Sequence, residues 1–110
     1  MKLVFLMYLE DDDELVMRGF RELGVSVFSR LPLEGHGGRG KGGGWYGEAV
    51  PYRSRMVFAV LPDVEAERLL EAIKGWPEGA DADHPVQAFQ VDVERSVRQV
   101  NDSTRANGDT

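Results

Sequence analysis

The sequence contains no cysteine, which excludes disulfides, thiolate metal sites and a cysteine nucleophile and fits a reducing compartment. Histidine is scarce, with two residues, His36 and His84, and no recognisable ligand spacing between them, so no metal site is expected. Basic charge is also short: 13 Lys and Arg stand against 19 Asp and Glu, for a formal net charge of −6. Nucleic-acid binding is therefore not expected, because phosphate contacts need clustered cations. No apolar run approaches the roughly 20 residues of a membrane span, so direct membrane insertion is not expected. The opening MKLVFLMYLEDDDE has one lysine and a short apolar run without a small-residue cleavage site, and reads as a strand, not a signal peptide. A cytoplasmic location is the expectation.

What remains is an ordinary globular composition, 42% hydrophobic and 29% charged over 110 residues, enough for one domain. Leu3 to Leu9 is apolar throughout and reads as a strand buried on both faces. The acids Asp11 to Glu14 suit a helix N-terminus, and Asp11 with Glu14 has capping-box spacing. Leu15, Val16, Gly19, Phe20 and Leu23 form one helical stripe that Gly24 ends. A second strand is expected over Val25–Leu31. Pro32 to Arg53 shows no period, and an irregular stretch of this length is usually functional or disordered. Met56–Leu61 is a second run of buried-strand character. Asp63 is expected to cap a helix whose stripe is Ala66, Leu69, Leu70 and Ile73, closed by Gly75 and Pro77. Trp76 to Pro85 reads as a loop, and Val86–Val93 alternates, with Phe89, Val91 and Val93 on one face.

The order β-α-β-loop-β-α-β predicts an α+β, ferredoxin-like fold. It comprises a four-stranded antiparallel sheet with two helices on one face and a long loop between the second and third strands. Right-handed crossovers put the first and third strands in the centre, which agrees with their unbroken apolar runs. Residues 1–97 form the single expected domain, and 98–110 a polar tail expected to be flexible. Two helices cover only one sheet face. The other is apolar too, because neither alternating set of the first strand (Val4, Leu6, Tyr8 or Leu3, Phe5, Met7, Leu9) nor of the third (Met56, Phe58, Val60 or Val57, Ala59, Leu61) is polar, and it is expected to pack against further copies of the chain.

Seven of the 13 glycines lie in Gly35–Gly44, with Arg39 and Lys41 as the charges. Gly35, Gly37 and Gly40 match GxGxxG, and Gly35 through Lys41 matches GxxxxGK without the following Ser or Thr. Both motifs need a strand before and a helix after, and here the run lies between two strands, so neither carries its usual meaning. The physical content survives. Glycines let backbone N–H groups converge on an anion, and Arg39 and Lys41 neutralise it; a solvated, flexible loop is the plain alternative. Gly35, Gly37, Gly38, Arg39, Gly40 and Lys41 are therefore the candidate ligand contacts. Trp45 and Tyr46 are candidate anchors for a protein partner, with packing against the base of their own loop as the alternative. His84 reads as a residue leading into the last strand, and Arg53, Arg55, Arg95 and Arg98 as solvated strand ends. No Ser/His/Asp or paired-carboxylate constellation is present in the sequence pattern, so no catalytic residue is nominated and an enzyme is not expected.

With this topology and Gly38-Arg39-Gly40-Lys41-Gly42 in the long loop, the chain resembles the PII signal-transduction superfamily over Lys2 to Val93, where the corresponding stretch reads Gly-Arg-Gln-Lys-Gly. Leu33-Glu34-Gly35-His36-Gly37 is also similar to small PII-like proteins encoded beside transporters. The resemblance implies a homotrimer with nucleotide in the clefts between subunits, an adenine nucleotide being the candidate ligand. It also implies a long T-loop that engages a partner protein or membrane transporter. The chain departs from the family where Gly40 replaces the glutamine that helps hold metal-bound 2-oxoglutarate. It departs again at Trp76–Pro85, acidic and without lysine where PII proteins bind phosphate. A PII-like regulatory sensor is thus expected, not a nitrogen-regulatory PII. The rival readings are a CutA-like trimer binding a divalent metal through His36 and a small dimeric α/β-barrel enzyme of ferredoxin-like fold.

Overall fold

The computed structural model describes residues 1–37 and 51–100. Its elements are β1 (Lys2–Leu9), a short tight helical turn (Glu10–Asp12), α1 (Asp13–Leu23), β2 (Ser29–Gly35), β3 (Tyr52–Leu61), α2 (Asp63–Ile73) and β4 (Gln87–Asp92). They form one four-stranded antiparallel sheet in the order β2-β3-β1-β4. The chain has the ferredoxin-like α+β fold, and the two apolar strands are the central ones. Among the described residues, no helix is long and apolar enough to cross a membrane.

Strand alternation sorts the side chains between two faces. Val4, Leu6 and Tyr8 of β1 and Val57, Ala59 and Leu61 of β3 are buried beneath Val16 and Phe20 of α1 and Ala66 and Leu69 of α2. Fully burying each of the larger side chains contributes about 1.5–3 kcal/mol. The opposite face holds the odd-numbered set of β1, in register with Val60, Phe58 and Met56 of β3 and with Val91 and Phe89 of β4. Here Phe5 stacks on Phe89 with ring centroids 5.3 Å apart, and neither helix covers them.

Two boundaries differ from the sequence reading. The second strand was expected over Val25–Leu31 but runs over Ser29–Gly35. The cause lies at the end of α1, where Gly24 adopts φ 75° and its N–H donates to the Arg21 carbonyl. The Val25 N–H donates to the Phe20 carbonyl at 2.9 Å, a helix-ending motif that spends the amide a ladder would need. Val25 and Phe28 then pack on the core, with Phe28 edge-on to Phe20 at 5.1 Å. The strand continues through Pro32, a residue tolerated because β2 is an edge strand. At its other end β3 starts at Tyr52, so the segment between the strands is residues 36–51, shorter than the expected 32–53.

The expected caps also differ. Asp12, not Asp11, occupies the position before α1, and Pro62, not Asp63, that before α2; neither makes a side-chain cap bond. The acids before α1 reach other elements instead. Asp12, buried, accepts the Ala80 N–H through Oδ1 at 2.8 Å. Asp13 accepts the Tyr8 hydroxyl at 2.8 Å and an Arg30 N–H at 2.7 Å, with Arg55 at 3.4 Å. Arg55 is thus engaged by α1 and is not a solvated strand end.

Candidate functional site

A cleft of about 800 Å³ on the helix-free side of the sheet borders the start of the glycine run at Gly35. Its floor is the end of β1 and β3, at Met7, Leu9 and Ser54. One wall is the end of β2, Glu34 to His36, and the other is the segment Ala82–Pro85 that leads into β4. The cleft therefore spans the space between the two edge strands.

Local packing holds both walls. On the β2 side, Gly35 lies directly across from Tyr52, and a Cβ on Gly35 would sit 2.2 Å from the Tyr52 ring. The missing side chain is filled by the neighbouring aromatic, a common cross-strand arrangement at an edge glycine. The next glycine, Gly37, has φ 82°, a conformation in the left-handed region that favours glycine. On the other side, the 76–85 segment is pinned at two points. Trp76 lies against Gly19 of α1, where a Cβ would be 2.3 Å from the indole. Ala80 is held by Asp12, and Gly79 passes so close to that carboxylate that a Cβ would be 2.4 Å from Oδ2.

The cleft holds two carboxylate–imidazole pairs beside the polar side chains of Tyr8, Tyr52, Ser54, Asp83 and Gln87. His36 Nε2 is 2.7 Å from Glu34 Oε2. His84 Nδ1 is 3.1 Å from Asp81 Oδ2, and its ring meets Tyr52 edge-on at 4.6 Å. Asp81 Oδ1 also accepts the Asp83 N–H at 2.9 Å, an Asx-type turn. That N–H and the His84 side chain hold the Asp81 carboxyl below the usual carboxylate range. Among the described residues the cleft presents no Lys or Arg. No group of three or more His, Cys, Asp or Glu side chains able to hold a metal ion occurs among the described residues.

Of the candidate ligand contacts, Gly35 and Gly37 border this cleft, and Gly35 serves the Tyr52 ring. Gly38, Arg39, Gly40 and Lys41, with the partner anchors Trp45 and Tyr46, lie outside the described residues. The sequence reading took His84 only as a residue leading into the last strand and passed over Asp81 and Tyr52. The local signal was the Asp81-x-x-His84 spacing, which places both side chains on one side of a turn; the Tyr52 contact is long-range and left no local mark.

The chain matches no protein-family model and no curated protein.

Proposed function

We propose that this chain is a PII-like regulatory sensor that assembles as a homotrimer through the helix-free sheet face and binds a small anion at the cleft on the rim of that face. The observation that carries the reading is the apolar character of the uncovered face, read with the position of the cleft. Val60, Phe89, Val91 and Met7 are 51%, 44%, 48% and 40% exposed in the single chain, in one surface with Leu3 and Phe5. A patch of this kind is an association surface. Packing it against a second copy would bring the cleft to a subunit boundary and add a wall that one chain lacks.

Apart from the neutral Tyr, Ser and Gln side chains, the described part of the cleft carries carboxylates and imidazoles and no Lys or Arg, so the positive charge for an anion is assigned to Arg39 and Lys41. An adenine nucleotide is the proposed ligand, and Trp45 and Tyr46 are the proposed contacts to a protein or transporter partner. Binding at Gly37–Lys41 would shift the population between partner-binding and free states of the protein. The role is regulatory and not enzymatic.

Two measurements test this reading. Sedimentation equilibrium should give three times the 12.3 kDa chain mass, and Phe89→Asp should shift it toward the monomer. A dimer would favour the barrel-enzyme alternative. Calorimetric titration with ATP, ADP, AMP and cyclic AMP, with and without magnesium, should give heat for at least one, and Arg39→Ala with Lys41→Ala should weaken it. A folded trimer that binds none of them refutes the nucleotide reading, and unchanged affinity in the double variant refutes the assigned contacts.

A further inference from the structure

His84 stands between two hydrogen-bond acceptors. Nδ1 faces Asp81 Oδ2 at 3.1 Å, and Nε2 faces the Gly37 carbonyl oxygen at 3.5 Å. A neutral imidazole has one N–H and one lone pair. With the proton on Nδ1, the Nε2 lone pair points at the lone pairs of a carbonyl. With the proton on Nε2, the Nδ1 lone pair points at a carboxylate. The imidazolium alone donates to both. Histidine is also the side chain whose ordinary titration falls between pH 5 and 8.

The two acceptors sit on opposite walls of the cleft. Asp81 belongs to the segment anchored by Asp12 and Trp76, and Gly37 is where the chain leaves the end of β2. The other titratable groups around His84 are Asp83 on its own segment, Tyr52 on β3, and Glu34 with His36 on the β2 side, the last two paired with each other. Glu34 and Asp83 add negative charge on both walls, and no described Lys or Arg lines the cleft to oppose an imidazolium.

We propose that His84 is a proton-operated clamp across the cleft. When protonated it ties Asp81 to the Gly37 carbonyl and draws the β2 end toward the α2–β4 segment. When neutral it keeps the Asp81 contact and releases Gly37. The clamp is closed at the acidic end of the histidine range and open at the alkaline end. It sets the width of the cleft. It needs no ligand, so its test stands apart from that of nucleotide binding.

The test is an NMR titration of the ligand-free protein from pH 5 to 8.5, following the Gly37 carbonyl carbon and the ring protons of both histidines. The expected result is that the Gly37 carbonyl shift moves with the same midpoint as the His84 ring. His36→Gln should leave that movement in place, and His84→Gln should abolish it. A Gly37 carbonyl that stays still while His84 titrates overturns the proposal. So does a response that follows His36 and disappears in His36→Gln. The wild-type co-titration decides the matter even if a His84 variant folds poorly.

Discussion

Gly19→Ala is a substitution whose sign depends on one neighbouring ring. Gly19 lies inside α1, where alanine is ordinarily better than glycine by about 1 kcal/mol because it restricts the unfolded chain and favours the helix. In this structure the added Cβ would meet Trp76 Cζ2 at 2.3 Å, Cε2 at 2.6 Å and Cη2 at 2.9 Å. The obstacle is a rigid bicycle, not the tip of a flexible chain, and ordinary contact requires the indole to retreat by roughly 1 Å. Overpacking of this kind costs about 1–3 kcal/mol. Trp76 also gives up part of its packing on the core cluster. The clash outweighs the propensity gain, and the net expectation is a loss of about 1–2 kcal/mol, or several degrees in melting temperature for a domain of this size. In a Trp76→Ala background the obstacle is gone, and Gly19→Ala should stabilise by about 0.5–1 kcal/mol. The assay is urea unfolding of all four proteins, followed by far-ultraviolet circular dichroism because indole fluorescence changes with Trp76. The sign reversal is the diagnostic, and the coupling should reach about 2 kcal/mol, within the range seen for residues in contact. Equal stabilisation by Gly19→Ala in both backgrounds would refute the packing of Trp76 on α1, and with it the anchoring of the cleft's outer wall.

Further predictions concern the same framework. Asp12→Ala removes the acceptor of the Ala80 N–H, a bond made by a buried carboxylate, and should cost about 1–3 kcal/mol, with faster hydrogen exchange at Ala80; unchanged exchange there would sink the assignment. Burial and the bond to Asp13 push the Tyr8 phenol well above its ordinary range. A raised tyrosine value means that the stabilisation is fully present below the unfolded value of about 10 and is lost as pH rises through the folded value. An ultraviolet phenolate titration should therefore show a late component that Tyr8→Phe deletes. For Asp81 the sign is opposite. Its lowered value makes the Asp83 and His84 contacts favourable above about pH 4 and loses them as pH falls through the folded value. Amide shifts of residues 81–84 in acid should report that change, and Asp81→Asn should remove it.

The parts of this fold that were legible in the sequence are those in which one residue's neighbours along the chain decide its fate. The runs Leu3–Leu9 and Met56–Leu61 could only be central strands, and being apolar on both alternations they implied an apolar uncovered face, though not which residue set would form it. The second strand was misplaced because Val25 looks like a strand residue, while its amide is spent on the Phe20 carbonyl. The start of β3 was missed because Tyr52-Arg53-Ser54-Arg55 alternates around arginines. At the end of a sheet an inward arginine is stable if acids wait for it, and Arg55 finds Asp13 and Glu10 at 3.4 and 3.9 Å. The cleft was the least legible part, since its walls meet only through topology: His84 reaches a carbonyl 47 positions away.

The run Asp11–Glu14 shows why such a site escapes a local reading. Its charge and its place before a helical stripe argue for capping, and that inference is sound for a helix considered alone. In the fold, two consecutive members turn to different elements. Asp13 accepts from Tyr8 of β1 and Arg30 of β2, while Asp12 accepts from Ala80, 68 residues ahead. The start of α1 thereby joins the sheet to the α2–β4 segment, and the position of His84 over the cleft follows from that junction. A substitution at Asp12 is therefore expected to act on the cleft without touching it, by loosening the wall from which His84 reaches Gly37.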